Sequence, residues 1–455
     1  MSATLAIEHK ICSIKSIIDT AKQGPYVPLL ETYERNTMII DADSHVCEPP
    51  DTWLSRMSSK WGDLIPRVKR NAENDADMWY IDDQVINGLA LTVMYNSPDD
   101  DDPHRRKDDF PASPRYIEEV HPSSWDPTAR AKVMDSYGIN MAALFPNLGL
   151  TSPDHYSTIP GATLEFQLEL IAAFNDFVLS WGQREPGRFL PMAVVPYWDL
   201  EGCIKEIERC AELGHKGFVM TGTPEYHDSP VLANPHWDPL WSSVNATNLP
   251  IAFHAGTSTN PDEFMIQMSR EREGGDNNVR VPGGNCVAAI TGVLKTFLDN
   301  VMATGTLLMS GVPSRYPDLK FAIVESGSGW VPFLLESLDV HYLRYRPWET
   351  RDSLKSDELP SDIFRRQIYV NTWYENLRPD DLALLPIDNV MFESDYPHPT
   401  CLMGDEVNES LTTKLSAISE DDREKISYRN AMRCFNISPD EIGRIPAAAG
   451  MAATH

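Results

Sequence analysis

MIIDADSH, residues 38–45, runs from an apolar triplet into alternating acidic and small residues and ends on a histidine. In an extended segment successive side chains point to opposite faces, so Asp41, Asp43 and His45 are expected to project together from the end of a strand. Alone, such a stretch reads as a turn-forming, solvated strand end. The rest of the chain argues otherwise, because seven more strand-like runs follow: MAALFPN (141–147), RFLPMAVVP (188–196), KGFVMTG (216–222), PIAFHAG (250–256), KFAIVESG (320–327), IYVNTWY (368–374) and NVMFESDYP (389–397). Helix-patterned segments lie between most of them, among them LEFQLELIAAFNDFVLSWGQ (164–183) and LEGCIKEIERCAELG (200–214), the latter with apolar residues near a 3.6 period and a terminal Gly. Eight strands joined by helical crossovers predict an α/β fold: a distorted TIM (β/α)8 barrel over residues 38–436.

Two long insertions interrupt the repeat, residues 46–124 after the first strand and 257–303 after the fifth. Both follow strand C-termini, where the loops of such barrels build the active site, so both are expected to cover it. The first contains WYIDDQVINGLAL (79–91), which predicts a hairpin, and NSPDDDDPHRRKDD (96–109), which reads as an exposed loop. Residues 1–37 form an N-terminal arm whose second half, GPYVPLLETYERN, lacks periodicity, and residues 437–455 form a tail.

The formal charge of −28 argues against a nucleic-acid or anionic-membrane surface, which would need clustered Lys and Arg, and favours a small-molecule partner. Seven cysteines without a CxxC pair suggest neither a disulfide framework nor a thiolate zinc cluster, and fit a reducing cytoplasm. No run reaches eighteen consecutive apolar residues, and charges break the opening segment before a signal core forms, so the chain reads as soluble and unexported.

The other strand ends answer the question the first one raises. The fifth ends on His254, the sixth on Glu325, and the eighth on Asp395 with His398 close behind. A lone histidine on an apolar strand is usually a satisfied core residue, and a lone aspartate at a strand end a cap. Two imidazoles and two carboxylates on one barrel rim instead suit a catalytic metal site with an open position, Zn²⁺ first and Mn²⁺ or Fe²⁺ with less preference. Trp53, Trp330, Trp373 and Tyr374 are candidates for an aromatic substrate wall, with barrel packing as the bland alternative, and His398 for a substrate contact or a ligand-orienting bond.

These residues resemble the amidohydrolase superfamily, in the branch of aminocarboxymuconate semialdehyde and resorcylate decarboxylases. The resemblance is carried by DADSHVCEPPDTW, DPTARAKVMDSYGINMAALFPNLG, HWDPLWSSVNATNLPIAFHAG, GVPSRYPDLKFAIVESGSGWVPFLLESLD and NVMFESDYPHPT. It implies Asp43, His45, His254 and Asp395 as ligands of one ion per chain, because Lys216 stands at the beginning of its strand and not at the end, where binuclear relatives carry a carboxylated lysine. It also implies proton handling by Asp395 and a homodimer. Two positions depart from the family pattern: Asp43 stands where relatives have His or Glu, and Glu325 where many have a catalytic His. Since an ionised Glu325 would repel a substrate carboxylate, the expectation placed first is a metal-dependent hydrolase acting through activated water on a cyclic or aromatic substrate. Asp395 or Glu325 would then act as acid or base. The alternative is non-oxidative decarboxylation, and a non-catalytic metal-binding scaffold is a remote third reading.

Overall fold

The strand expectations are met one for one. The protein, here a computed structural model, is described over residues 38–443 apart from 74, 90–92, 94–113, 149–151, 157–158, 262, 264–285, 349–356 and 399. Strand β1 (Ile40–Val46) precedes a three-stranded antiparallel sheet of β2 (Arg67–Asn71), β3 (Ala76–Ile81) and β4 (Gln84–Gly88). Seven strands then return to β1: β5 (Met141–Pro146), β6 (Phe189–Val194), β7 (Gly217–Val219), β8 (Ile251–His254), β9 (Phe321–Val324), β10 (Ile368–Thr372) and β11 (Val390–Phe392). They form one parallel sheet in the order β1-β5-β6-β7-β8-β9-β10-β11. The barrel closes where Ser44 bridges Tyr396, His45 N donates to Tyr396 O (2.7 Å) and Asp395 N donates to Asp43 O (3.0 Å). Covered on both faces, these strands are apolar almost throughout, as a parallel sheet inside a helical ring requires.

The crossover helices include α1 (Pro127–Tyr137), α2 (Leu164–Gln183), α3 (Leu200–Leu213), α4 (Asp238–Thr247), α5 (Cys286–Met309), α6 (Val331–Tyr345) and α7 (Pro360–Gln367). Their ends are written locally: the Asp126 and Asp199 side chains accept from Ala129 N and Gly202 N, and Gly138 and Gly214 end α1 and α3 at φ 81° and 105°. No helix among the described residues is long and apolar enough to cross a membrane.

Three features differ from expectation. The hairpin in the first insertion is present, but RVKRN adds a third strand to it. Residues 286–303 of the second insertion belong to α5, so that insertion ends earlier than residue 303. The pairing of β1 with β5 slips between Asp41 and Ser44, which breaks the simple alternation read from MIIDADSH. The N-terminal arm and the acidic 96–109 loop lie outside the described residues.

Candidate metal centre

The ends of β1 and β8 bring Asp43, His45 and His254 together, and Asp395, just past β11, joins them through His45. Asp43 Oδ1 lies 3.5 Å from His45 Nε2 and 3.4 Å from His254 Nε2, and His45 Nε2 lies 3.5 Å from Asp395 Oδ1. These separations exceed a good hydrogen bond and match the edge of a ligand tetrahedron with bonds of about 2.1 Å. The imidazoles are oriented from behind: His45 Nδ1 donates to Pro146 O and His254 Nδ1 to Ala255 O, each at 3.0 Å. Both rings therefore turn Nε2 inward, the arrangement that fixes a ligand tautomer. His45 Nε2 and Asp43 Oδ2 are buried with no hydrogen-bond partner. A cation is what such orphaned acceptors lack.

Charge supports the same fit. Asp41, Asp43, Glu325, Glu393 and Asp395 crowd one end of the barrel, and all but Glu325 are buried. Burial and Asp43 hold Asp395 well above the usual carboxylate range, and burial with Asp43 does the same to Glu393. Burial and Asp395 push Glu325 up to about 8, against the opposing pull of His254 and His398. Burial alone would lower His254, but Asp43, Glu325 and the Ala255 carbonyl outweigh it and bring it to about 10. Burial, His398 and His254 together keep His45 well below its ordinary value. The protein thus concentrates negative charge where water cannot screen it, and only protons or a bound cation relieve that.

Glu325 and Asp395 share a backbone peculiarity: each is left-handed, with φ 57° and 62°. Non-glycine residues rarely adopt that region, and here it swings both carboxyls off their strands. The Glu325 turn is pinned by its own N–H, which donates to Glu393 Oε2 at 3.1 Å. Glu325 Oε2 faces the Nδ1 edge of His254 at 3.4 Å, on the side away from the converging Nε2 atoms. Ligand atoms of Asp43, His45, His254 and Glu325 still fall within 4.8 Å of one another, and those of His45, Asp395 and His398 form a second such group. His398 Nδ1 lies 2.6 Å from Asp395 Oδ1, its Nε2 3.2 Å from Asn147 Oδ1, and its ring stacks on His45 at 4.1 Å.

Several supporting residues escaped the sequence reading. Asp41, expected beside Asp43 and His45, instead accepts from Asp43 N (3.2 Å), Ser394 N (2.8 Å) and Ser394 Oγ, tying the two ligand-bearing strand ends together. Glu393, two residues before Asp395, was legible in principle from the period of two. Arg130, 1% exposed on α1, donates to His45 O and Ser123 O, both at 2.6 Å, and lies over the Tyr396 ring. Asn300 on α5 donates to Phe253 O (3.1 Å), Val324 O (3.2 Å) and Ser326 Oγ (2.9 Å), bracing the residue before His254 and those on either side of Glu325. An Asn300→Leu change removes these bracing bonds, although Val324 O still accepts from Ala255 N and Ser326 Oγ, at a cost of roughly 1–3 kcal/mol, and is expected to weaken metal affinity about 10-fold. Metal titration monitored by isothermal calorimetry measures this, and wild-type affinity would remove Asn300 from the account.

The aromatic candidates divide. Trp53 is 1% exposed, meets Trp79 edge-on and donates its indole N–H to Leu170 O, which is the packing role and not a substrate wall. Trp373 is likewise buried. Trp330, half-buried, donates to Ser326 O just past Glu325, and Tyr374 is half-exposed, its hydroxyl pushed up to about 12 by burial and by Glu375, Glu393 and Glu325. These two stay beside the site, as does His398.

Comparison with known proteins identifies the family and the fold. The amidohydrolase family model matches residues 40–437. A gamma-resorcylate decarboxylase from a Polaromonas species is 26% identical over 324 residues, covering 68% of this chain and 87% of that one. In fold, the chain is similar to an amidohydrolase from Mycobacterium avium subsp. paratuberculosis (TM-score 0.65, 20% identity, 88% of this chain and 99% of that one). It is also similar to a 5-carboxyvanillate decarboxylase from Novosphingobium aromaticivorans complexed with manganese (TM-score 0.58, 19% identity, 89% and 98%).

Proposed function

Because the chain belongs to the amidohydrolase family, as an enzyme of its metal-dependent hydrolase or carboxy-lyase kind, we propose that it is a non-oxidative decarboxylase of a small aromatic acid with an oxygen substituent beside the carboxylate. The observation that carries this is the likeness to a gamma-resorcylate decarboxylase, joined to the ligand-type groups gathered at the strand ends. Hydrolysis, placed first on the sequence, asks a carboxylate to take a proton from water, whereas burial and Asp395 raise Glu325 to about 8, which favours its acid form at neutral pH. A protonated Glu325 also does not repel a substrate carboxylate, which removes the objection that ranked decarboxylation second. The decarboxylase relative supports the same choice.

In this reading Asp43, His45, His254 and Asp395 hold one divalent ion, with Mn²⁺ ahead of Zn²⁺ because the donor set includes two carboxylates and the 5-carboxyvanillate decarboxylase binds manganese. The ion supplies Lewis-acid charge for the substrate's carboxylate and neighbouring oxygen. Glu325 donates its proton to the ring carbon that bears the carboxylate. The C–C bond then breaks, its electron pair restores the aromatic ring, and CO₂ leaves. Glu325, 18% exposed where Asp395 is fully buried, regains a proton from solvent. His398 holds Asp395 in place, while Trp330 and Tyr374 line the side from which the ring enters. The other partner in this reading is a second copy of the chain, in a cytoplasmic homodimer.

The test is a panel of ortho-hydroxybenzoates, aryl lactones and anilides offered to Mn²⁺-loaded protein, with CO₂ release and acid release measured separately. CO₂ from at least one hydroxybenzoate is expected; hydrolysis of lactones or anilides without any CO₂ would reverse the assignment. Asp395→Asn is expected to retain the fold and to lower kcat by at least about 100-fold, since it loses a ligand charge and its bond to His398 changes character. Near-native kcat would remove Asp395 from the centre.

A further inference from the structure

Glu375, half-buried just past β10, accepts five hydrogen bonds from two strand-end segments. Its Oε1 takes Ser328 N (2.6 Å), Gly329 N (2.8 Å) and Ser328 Oγ (3.2 Å) from the turn after β9. Its Oε2 takes Thr372 Oγ1 (2.7 Å) and Trp373 N (3.4 Å) from the end of β10. A carboxylate has about four lone-pair sites, so both oxygens are fully engaged and neither is left for a substrate.

The turn that Glu375 grips is the one that carries Glu325. Between β9 and α6 the chain passes through two left-handed residues, Glu325 at φ 57° and Gly327 at φ 67°. A non-glycine residue stays in that region only where its surroundings over-determine it. Here three groups do so. Glu393 accepts from Glu325 N, Asn300 donates to Ser326 Oγ, and Glu375 closes the far end by taking the N–H groups that lead into α6. An anion there also lies at the positive end of the helix. Turn and carboxylate fit closely: a Cβ on Gly327 would stand 2.8 Å from Glu375 Oε1 and 3.1 Å from its carboxyl carbon, so a side chain at 327 would dislodge it.

We infer that Glu375 is a positioning residue for Glu325. By tying the turn to the end of β10 it holds the backbone that swings the Glu325 carboxyl off its strand toward His254. This rests on the proton-donor reading of Glu325 above, and the test separates the two.

The probe is CO₂ release by the Mn²⁺-loaded full chain from an ortho-hydroxybenzoate that it consumes. Glu375→Leu should lower kcat about 100-fold, with KM and bound metal near wild type. Glu375→Gln, which keeps an oxygen for the Ser328 and Gly329 N–H groups, should recover most of the rate. Glu375→Asp keeps the charge but is a methylene too short to span both segments; it should show part of the same loss, and decides the matter if the Leu variant does not fold. In a Glu325→Gln background, Glu375→Leu should cost no more than about 2-fold further, because the function it serves is already gone. Without any substrate, hydrogen–deuterium exchange over residues 325–330 should quicken in Glu375→Leu and stay slow in Glu375→Gln. Ser410→Ala, which removes a 2.9 Å bond to Trp373 O from the other side of the same segment, should keep the wild-type kcat. Unchanged exchange or kcat in the Leu and Asp variants would overturn the inference. So would a loss that recurs in full in the Glu325→Gln background or appears equally in Ser410→Ala, since Glu375 would then be a general brace. A Glu325→Gln protein with the wild-type rate would overturn the donor reading, and the role of Glu375 with it.

Discussion

Replacing His254 with alanine is expected to strip the protein of its ion and of its turnover together. His254 supplies one of the two Nε2 atoms that converge on Asp43, and its ring is held for that purpose by the Ala255 carbonyl. Removing a group that merely orients a ligand typically costs 10–100-fold in metal affinity, and removing the ligand itself should cost more. Metal content by elemental analysis should fall from about one ion per chain to a trace after dialysis. Turnover should fall with it, because the Lewis-acid charge that would act on the substrate's carboxylate leaves with the ion. Stoichiometric metal in the variant would show that the ion lies elsewhere.

The second large effect concerns Glu325. If its proton is the one delivered to the ring carbon, only the protonated form is active, so kcat/KM should be flat below and decline above the value near 8 to which burial and Asp395 raise it. Glu325→Gln keeps the size and the hydrogen-bonding shape but has no proton to give. It should lose about 10²–10⁴ in kcat and, with it, the alkaline limb of the profile. Glu325→Asp should recover part of the rate and keep a limb. A Gln variant that retains the wild-type limb would assign the titration to another group, and one that retains the rate would end the proposed role.

The two residues most important to this chemistry were legible in different degrees. The eight strands could be read because a parallel sheet covered on both faces needs near-continuous apolar runs, and these stand out between helical periods. Asp43, His45, His254 and Asp395 stand out as proposed ligands because Asp and His recur at the ends of those runs, where the family resemblance places a metal. The chemical state of Glu325 could not be read. It follows from a left-handed backbone, pinned by Glu393, and from burial beside Asp395, neither of which is a property of local sequence. Asp41 misled for a related reason: strict alternation places it with Asp43 and His45, while the slip in β1 pairing accompanies its use as a tether to Ser394. Trp53 looked like pocket material from its position in the first insertion, and tertiary packing against Trp79 claimed it. Asn300 braces two strand ends from a helix between them in sequence, and a single asparagine in an apolar helix carries no signal of that task.

The assignment stands or falls most directly on where solvent hydrogen and oxygen go in one turnover. Mn²⁺-loaded protein would be given an ortho-hydroxybenzoate that it consumes, in D₂O and separately in H₂¹⁸O, with the product read by NMR and mass spectrometry. Proton delivery to the carbon that loses CO₂ predicts one deuteron at that ring position and no ¹⁸O in the aromatic product. An ¹⁸O-labelled product with no new C–D bond would mean that water had attacked a carbonyl, and the enzyme would be a hydrolase.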